Sequence, residues 1–105
     1  MRLSEHEQRS IEAASRAVFP SGTRVLLFGS RTDDSRRGGD IDLLVALPKS
    51  MSPEDWQTHR ARFVVDLYRR MEEQKIDVIM DAPDLESPSP VIGFAYRDGI
   101  ELTHV

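Results

Sequence analysis

Apolar residues recur along this chain in two rhythms, and the switches between them mark out its elements. Near the start, Ile11, Ala14 and Val18 fall at helical spacing behind Ser4 and Glu7. That serine and glutamate match a capping box, in which each side chain bonds the other residue's backbone N–H. Phe19-Pro20-Ser21-Gly22 breaks the helix. Residues 25–28, Val-Leu-Leu-Phe, then form a short continuous apolar run between Gly22 and Gly29, the pattern of a strand buried on both faces. Residues 31–39 are polar and end in a double glycine, which predicts a loop. The apolar run at residues 41–47 stops at Pro48 and predicts a second strand.

Helical spacing returns after that strand. Ser52 is the expected N-cap, Pro53 suits the first helical position, and Asp55 completes a box-like pair with Ser52. Trp56, Phe63, Val64, Leu67 and Met71 give this long helix one apolar face. Residues 75–80 read as a third strand. Pro83, Pro88 and Pro90 punctuate an irregular stretch, residues 91–97 predict a short helix stopped by Gly99, and residues 100–105 predict an edge strand. The order α-β-β-α-β-α defines an α/β (α+β) class, a mixed sheet with helices packed on it.

Composition narrows the function. At 105 residues the chain is expected to be a single domain spanning residues 1–105. Its core is modest, and a partner subunit would add to its stability. A formal net charge of −4 supplies no basic footprint for indiscriminate nucleic-acid binding, so a DNA-coating role is disfavoured. The absence of cysteine excludes disulfides, Cys-based zinc sites and thiol nucleophiles. The first residues are charged where a signal peptide needs an apolar run, and no apolar stretch approaches the roughly 20 residues of a membrane span. The expectation is a soluble cytoplasmic protein.

Three aspartates carry the candidate chemistry. Asp40 and Asp42 flank Ile41 at the start of the second predicted strand, so both project from one face. Like charges placed together are poorly solvated and repel, and Mg²⁺, which takes oxygen ligands and bridges carboxylates to phosphate, would compensate them. The alternative is a pair on a solvated strand end. Asp77 interrupts the otherwise apolar run Ile76-Asp77-Val78-Ile79-Met80. It completes a three-carboxylate set if its strand lies beside that of Asp42, and otherwise faces solvent on an edge. Gly29-Ser30 follows the first buried strand directly. Glycine there permits close approach of a ligand or an unusual φ, Ser30 can donate a hydrogen bond, and Arg31 can add a cation. An ordinary strand-to-helix turn is the competing reading, and the P-loop pattern is absent.

Together, Leu27-Phe28-Gly29-Ser30-Arg31 and Asp40-Ile41-Asp42-Leu43-Leu44-Val45 resemble the minimal nucleotidyltransferases of the DNA polymerase β-like superfamily. The resemblance runs from Val25 through Asp77, and Gly99-Ile100-Glu101-Leu102 is similar to the family's ending. Members often carry a further glycine where this chain has Asp33. The resemblance implies transfer of AMP from ATP to an acceptor hydroxyl. Asp40, Asp42 and Asp77 would hold two Mg²⁺ ions, and Gly29, Ser30 and Arg31 would hold the nucleotide. Stand-alone members of this size are similar to the antitoxins of HEPN/MNT toxin–antitoxin pairs, which implies AMPylation of a tyrosine on a HEPN-type ribonuclease within a hetero-oligomer. Two other readings stand beside it: a binding module that occludes its partner, and a small-molecule, aminoglycoside-type nucleotidyltransferase.

The remaining candidates read as structural. His6, His59 and His104 show no metal-ligand spacing. Trp56, Phe63 and Tyr68 are expected in a core or interface, and Phe94 and Tyr96 in packing. Arg60, Arg62, Arg69 and Arg70 with Glu72 and Glu73 suggest a solvated helix face. Arg36-Arg37 lies in the loop between the two motifs.

Overall fold

In the computed structural model, residues 3–29, 41–71, 75–83 and 90–105 are described. The elements are α1 (Glu5–Val18), β1 (Arg24–Phe28), β2 (Ile41–Ala46), α2 (Pro53–Arg70), β3 (Ile76–Asp81), α3 (Pro90–Asp98) and β4 (Ile100–His104). The class and order follow the hydrophobic pattern, and the boundaries differ from it by a residue or so at the ends. Both expected N-caps are present. Glu7 N donates to Ser4 Oγ and Ser4 N to Glu7 Oε1, each at 3.0 Å, closing the capping box. Asp55 N donates to Ser52 Oγ at 3.1 Å, with Pro53 opening α2 behind it.

The four strands form one mixed sheet in the order β3-β2-β1-β4. β1 is antiparallel to both β2 and β4, while β2 and β3 are parallel, joined through α2. β4 takes the edge expected for it. The continuous apolar run of β1 has the predicted reason: both sheet faces are covered there. Val25 and Leu27 join Leu43, Val45 and Ile76 in the larger core beneath α1 and α2, where Ile11, Phe63 and Leu67 are fully buried. Leu26 and Leu44 point the other way, into a smaller cluster closed by Ile92 and Ala95 of α3.

The helices divide between these faces. α1 and α2 run antiparallel: His6 Nε2 bonds the Arg70 carbonyl at 2.7 Å at one end, and the Phe19 and Phe63 rings meet at 4.9 Å at the other. Trp56 and Phe63 are buried as expected, whereas Tyr68 is exposed. His59 stacks at the boundary against Phe19, with ring centroids 6.4 Å apart. Among the described residues, α3 is the one helix on the opposite face, and it buries only Ile92 and Ala95. Phe94 therefore departs from its expected packing role and is 54% exposed. A nine-residue helix over a small cluster offers one buried stripe, and Phe94 falls outside it. Among the described residues, no helix is long and apolar enough to cross a membrane.

Candidate functional site

The described part of the site expected from the sequence lies at the end of the sheet where β1 stops and β2 and β3 begin. Register brings its parts together. Phe28 pairs with Asp42 across the antiparallel ladder, and Asp42 pairs with Asp77 across the parallel one. Paired residues on neighbouring strands project from the same face, so the Asp42 and Asp77 side chains stand side by side. That face is the one α3 covers. Leu44 and Ile79, each two residues beyond an aspartate, join the cluster under Ile92 and Ala95. The aspartates lie at the open end of this face, Asp42 half-buried and Asp77 exposed. Of the two sequence alternatives for Asp77, the structure realises parts of both: it is exposed on an edge strand, and it adjoins Asp42.

Gly29 follows Phe28 with φ +79°, a left-handed conformation that L side chains rarely adopt. It also lies against Asp42. A Cβ built on Gly29 would be 3.2 Å from Asp42 Cγ and would overlap Oδ2. The turn thus needs glycine twice over, for its backbone angle and for space. Ser30, Arg31 and Asp40 lie outside the described residues, as do Arg36, Arg37, Glu72 and Glu73. Of the six expected site residues, the structure therefore brings together Gly29, Asp42 and Asp77.

Two carboxylates on one face with an exposed mouth are hard oxygen donors suited to a divalent cation, and they fit Mg²⁺ in donor chemistry. Among the described residues, no group of three or more metal-ligating side chains occurs.

A second polar assembly occupies the far end of the same face, and sequence reasoning missed it. Tyr96 of α3 donates its hydroxyl to Asp81 Oδ2 at 2.6 Å. The Arg24 guanidinium lies 6.0 Å from the Tyr96 ring centroid and pairs with Glu101. Burial, then the hydrogen bond to Asp81, pushes the Tyr96 phenol up to about 12, although Arg24 opposes the shift. The Glu101 hydrogen bond raises the Arg24 pKa. Tyr96, expected in packing, is exposed like Phe94 and is held through its hydroxyl. One signal was available: Asp81 shares the alternation of Asp77 and Ile79, so it points to the α3 side.

The elements define a mixed α+β protein, with helices packed on both faces of a mixed four-stranded sheet among the described residues. No protein-family model and no curated protein matches the chain. Among solved structures it is similar to one described as a toxin–antitoxin with AMP-PNP, at a TM-score of 0.65 and 19% sequence identity. The alignment covers 93% of this chain and 73% of that one. The shared feature is the fold.

Proposed function

We propose that this chain is a Mg²⁺-dependent nucleotidyltransferase that moves AMP from ATP to a hydroxyl of a partner protein, and that it serves as the antitoxin of a HEPN-type ribonuclease by AMPylating a tyrosine. The observation that carries the reading is the pairing of Asp42 with Asp77 beside the positive-φ turn at Gly29. The structural similarity to a toxin–antitoxin with AMP-PNP supports it.

In this reading the acceptor oxygen attacks the α-phosphorus of ATP. A phosphorus–oxygen bond forms to the acceptor as the bond to the bridging oxygen breaks, and pyrophosphate leaves. Asp42, with Asp40 and Asp77, would hold Mg²⁺, which when bound neutralises the triphosphate and the charge that develops on the leaving group. Asp77, which is exposed, would receive the acceptor's proton. Gly29 lets the backbone of the first turn come close to a phosphate, with Ser30 and Arg31 following it in sequence. The protein's work is positioning, and no covalent enzyme intermediate is needed.

The test uses purified chain, ATP, Mg²⁺ and a candidate HEPN-type partner encoded beside it, read by intact mass. The expected product is the partner heavier by one or more AMP units. An unmodified partner with both the wild type and Asp42→Asn defeats the enzymatic reading. If that variant still silences the ribonuclease, occlusion is the mechanism.

A further inference from the structure

The antiparallel pair of α1 and α2 seals the large core with its inner faces and leaves a groove of about 350 Å³ along its outer seam. Ala17 and Val18 of α1 line one side, and Ala61, Arg62, Val65 and Arg69 of α2 the other. Val65 is 49% exposed, an apolar side chain outside the buried face that Trp56, Phe63 and Leu67 form on this helix. The groove is electrically lopsided as well. Its one lining acid, Asp66, is bound by Arg70 Nε at 2.8 Å. Arg62 and Arg69 have no ion-pair partner among the described residues. The chain carries net charge −4, yet among the described residues this seam presents two cations to one acid beside an apolar floor.

We propose that this groove is a protein-docking surface whose occupant is an amphipathic helix of a partner protein, with an apolar ridge over Val65 and acidic residues facing Arg62 and Arg69. Helix rather than strand follows from the groove's walls. Both are α-helices whose interior backbone groups are already paired, so an extended segment laid here would find no main-chain partners. A helix satisfies its own backbone and packs as a third member at the usual interaxial distance of about 8–10 Å. Acidic flanks follow from charge complementarity, which sets register and partner choice.

The groove lies on the sheet face opposite Asp42 and Asp77, with the sheet and both helices between them. Docking here leaves the carboxylate site uncovered, so holding a partner and acting on nucleotide are separable functions of this molecule. The inference stands independently of the proposed chemistry.

The experiment measures fluorescence anisotropy of two labelled synthetic helices that share a leucine ridge, one flanked by glutamates and one by lysines, with the full chain. Saturable binding is expected with a preference of about fivefold or more for the glutamate helix, weakening as salt rises. The double variant Arg62→Glu/Arg69→Glu is expected to invert that preference. Val65→Glu, at a half-exposed position compatible with folding, is expected to abolish binding of the glutamate helix, and Asp42→Asn to leave it unchanged. No saturable binding, or equal binding of both peptides, overturns the proposal. Sedimentation that shows a dimer abolished by Val65→Glu also overturns it and assigns the groove to a second copy of the chain.

Discussion

Gly29 sits directly against the carboxylate of Asp42, close enough that the smallest side chain would occupy the space of Oδ2. With φ at +79°, the position excludes side chains by backbone angle as well. Gly29→Ala is therefore expected to cost about 1–2 kcal/mol from the angle alone, and to push the Asp42 side chain out of place. Urea denaturation measures the first effect. Binding of AMP-PNP with Mg²⁺ measures the second, expected to weaken more than the stability loss accounts for. Unchanged binding would mean that the Asp42 rotamer is immaterial to the site.

The Asp42–Asp77 pairing places two acids on one face of adjacent parallel strands, an arrangement that repels unless a cation intervenes. Thermal unfolding with and without Mg²⁺ and AMP-PNP reads this out. A ligand at tenfold its Kd adds about 1.4 kcal/mol, or roughly 6–11 °C for a domain of this size. Asp42→Asn and Asp77→Asn are each expected to lose most of that rise. In the absence of the ligand, Asp77→Asn is not expected to lower the midpoint, because it removes a like-charge neighbour of Asp42. A full ligand-induced rise in both variants would sink the carboxylate site.

Gly99 connects α3 to β4 and is as confined as Gly29, but by backbone. Its N–H donates to the Ala95 carbonyl at 2.8 Å. A Cβ there would overlap that same oxygen and approach the Leu27 carbonyl to 3.0 Å. Backbone atoms cannot swing aside as a side chain can. Gly99→Ala is expected to destabilise by about 2 kcal/mol or more and to raise hydrogen exchange in α3 first, since that helix buries only Ile92 and Ala95. Exchange that rises uniformly across the sheet would contradict a local role.

What could be read from the sequence divides by the range of the interaction. The caps at Ser4 and Ser52 are local bonds across three residues, so residue type and spacing suffice. The β1 run was legible because burial on both faces removes alternation. The nearness of Asp42 and Asp77 was a conditional statement, since parallel register depends on how α2 carries the chain across the sheet. The Tyr96–Asp81 bond spans 15 positions and the Arg24–Glu101 pair 77, beyond any periodicity argument. Phe94 failed for a different reason: apolarity predicts burial only where an element has a partner on that side, and among the described residues α3 packs on the sheet alone. Asp40, Ser30 and Arg31 lie outside the described residues.

The Tyr96–Asp81 bond gives a pH signature with a definite sign. The phenol is raised to about 12 in the folded protein, chiefly by burial and then by its bond to Asp81, against about 10 in an unfolded chain. The folded state thus holds the proton through a window in which the unfolded state releases it. The stabilisation is fully present below pH 10 and is lost as pH rises towards 12. Tyr96 is 39% exposed, so solvent screening makes the effect smaller than the shift alone implies. Tyr96→Phe keeps the ring under Arg24 and removes only the hydroxyl. At neutral pH it is expected to cost about 0.5–1.5 kcal/mol, measured by urea denaturation. Between pH 10 and 12 the stability of wild type is expected to fall towards that of the variant, while the variant lacks this component of the alkaline loss. Parallel curves for the two proteins across that window would show that the hydroxyl does not titrate with folding.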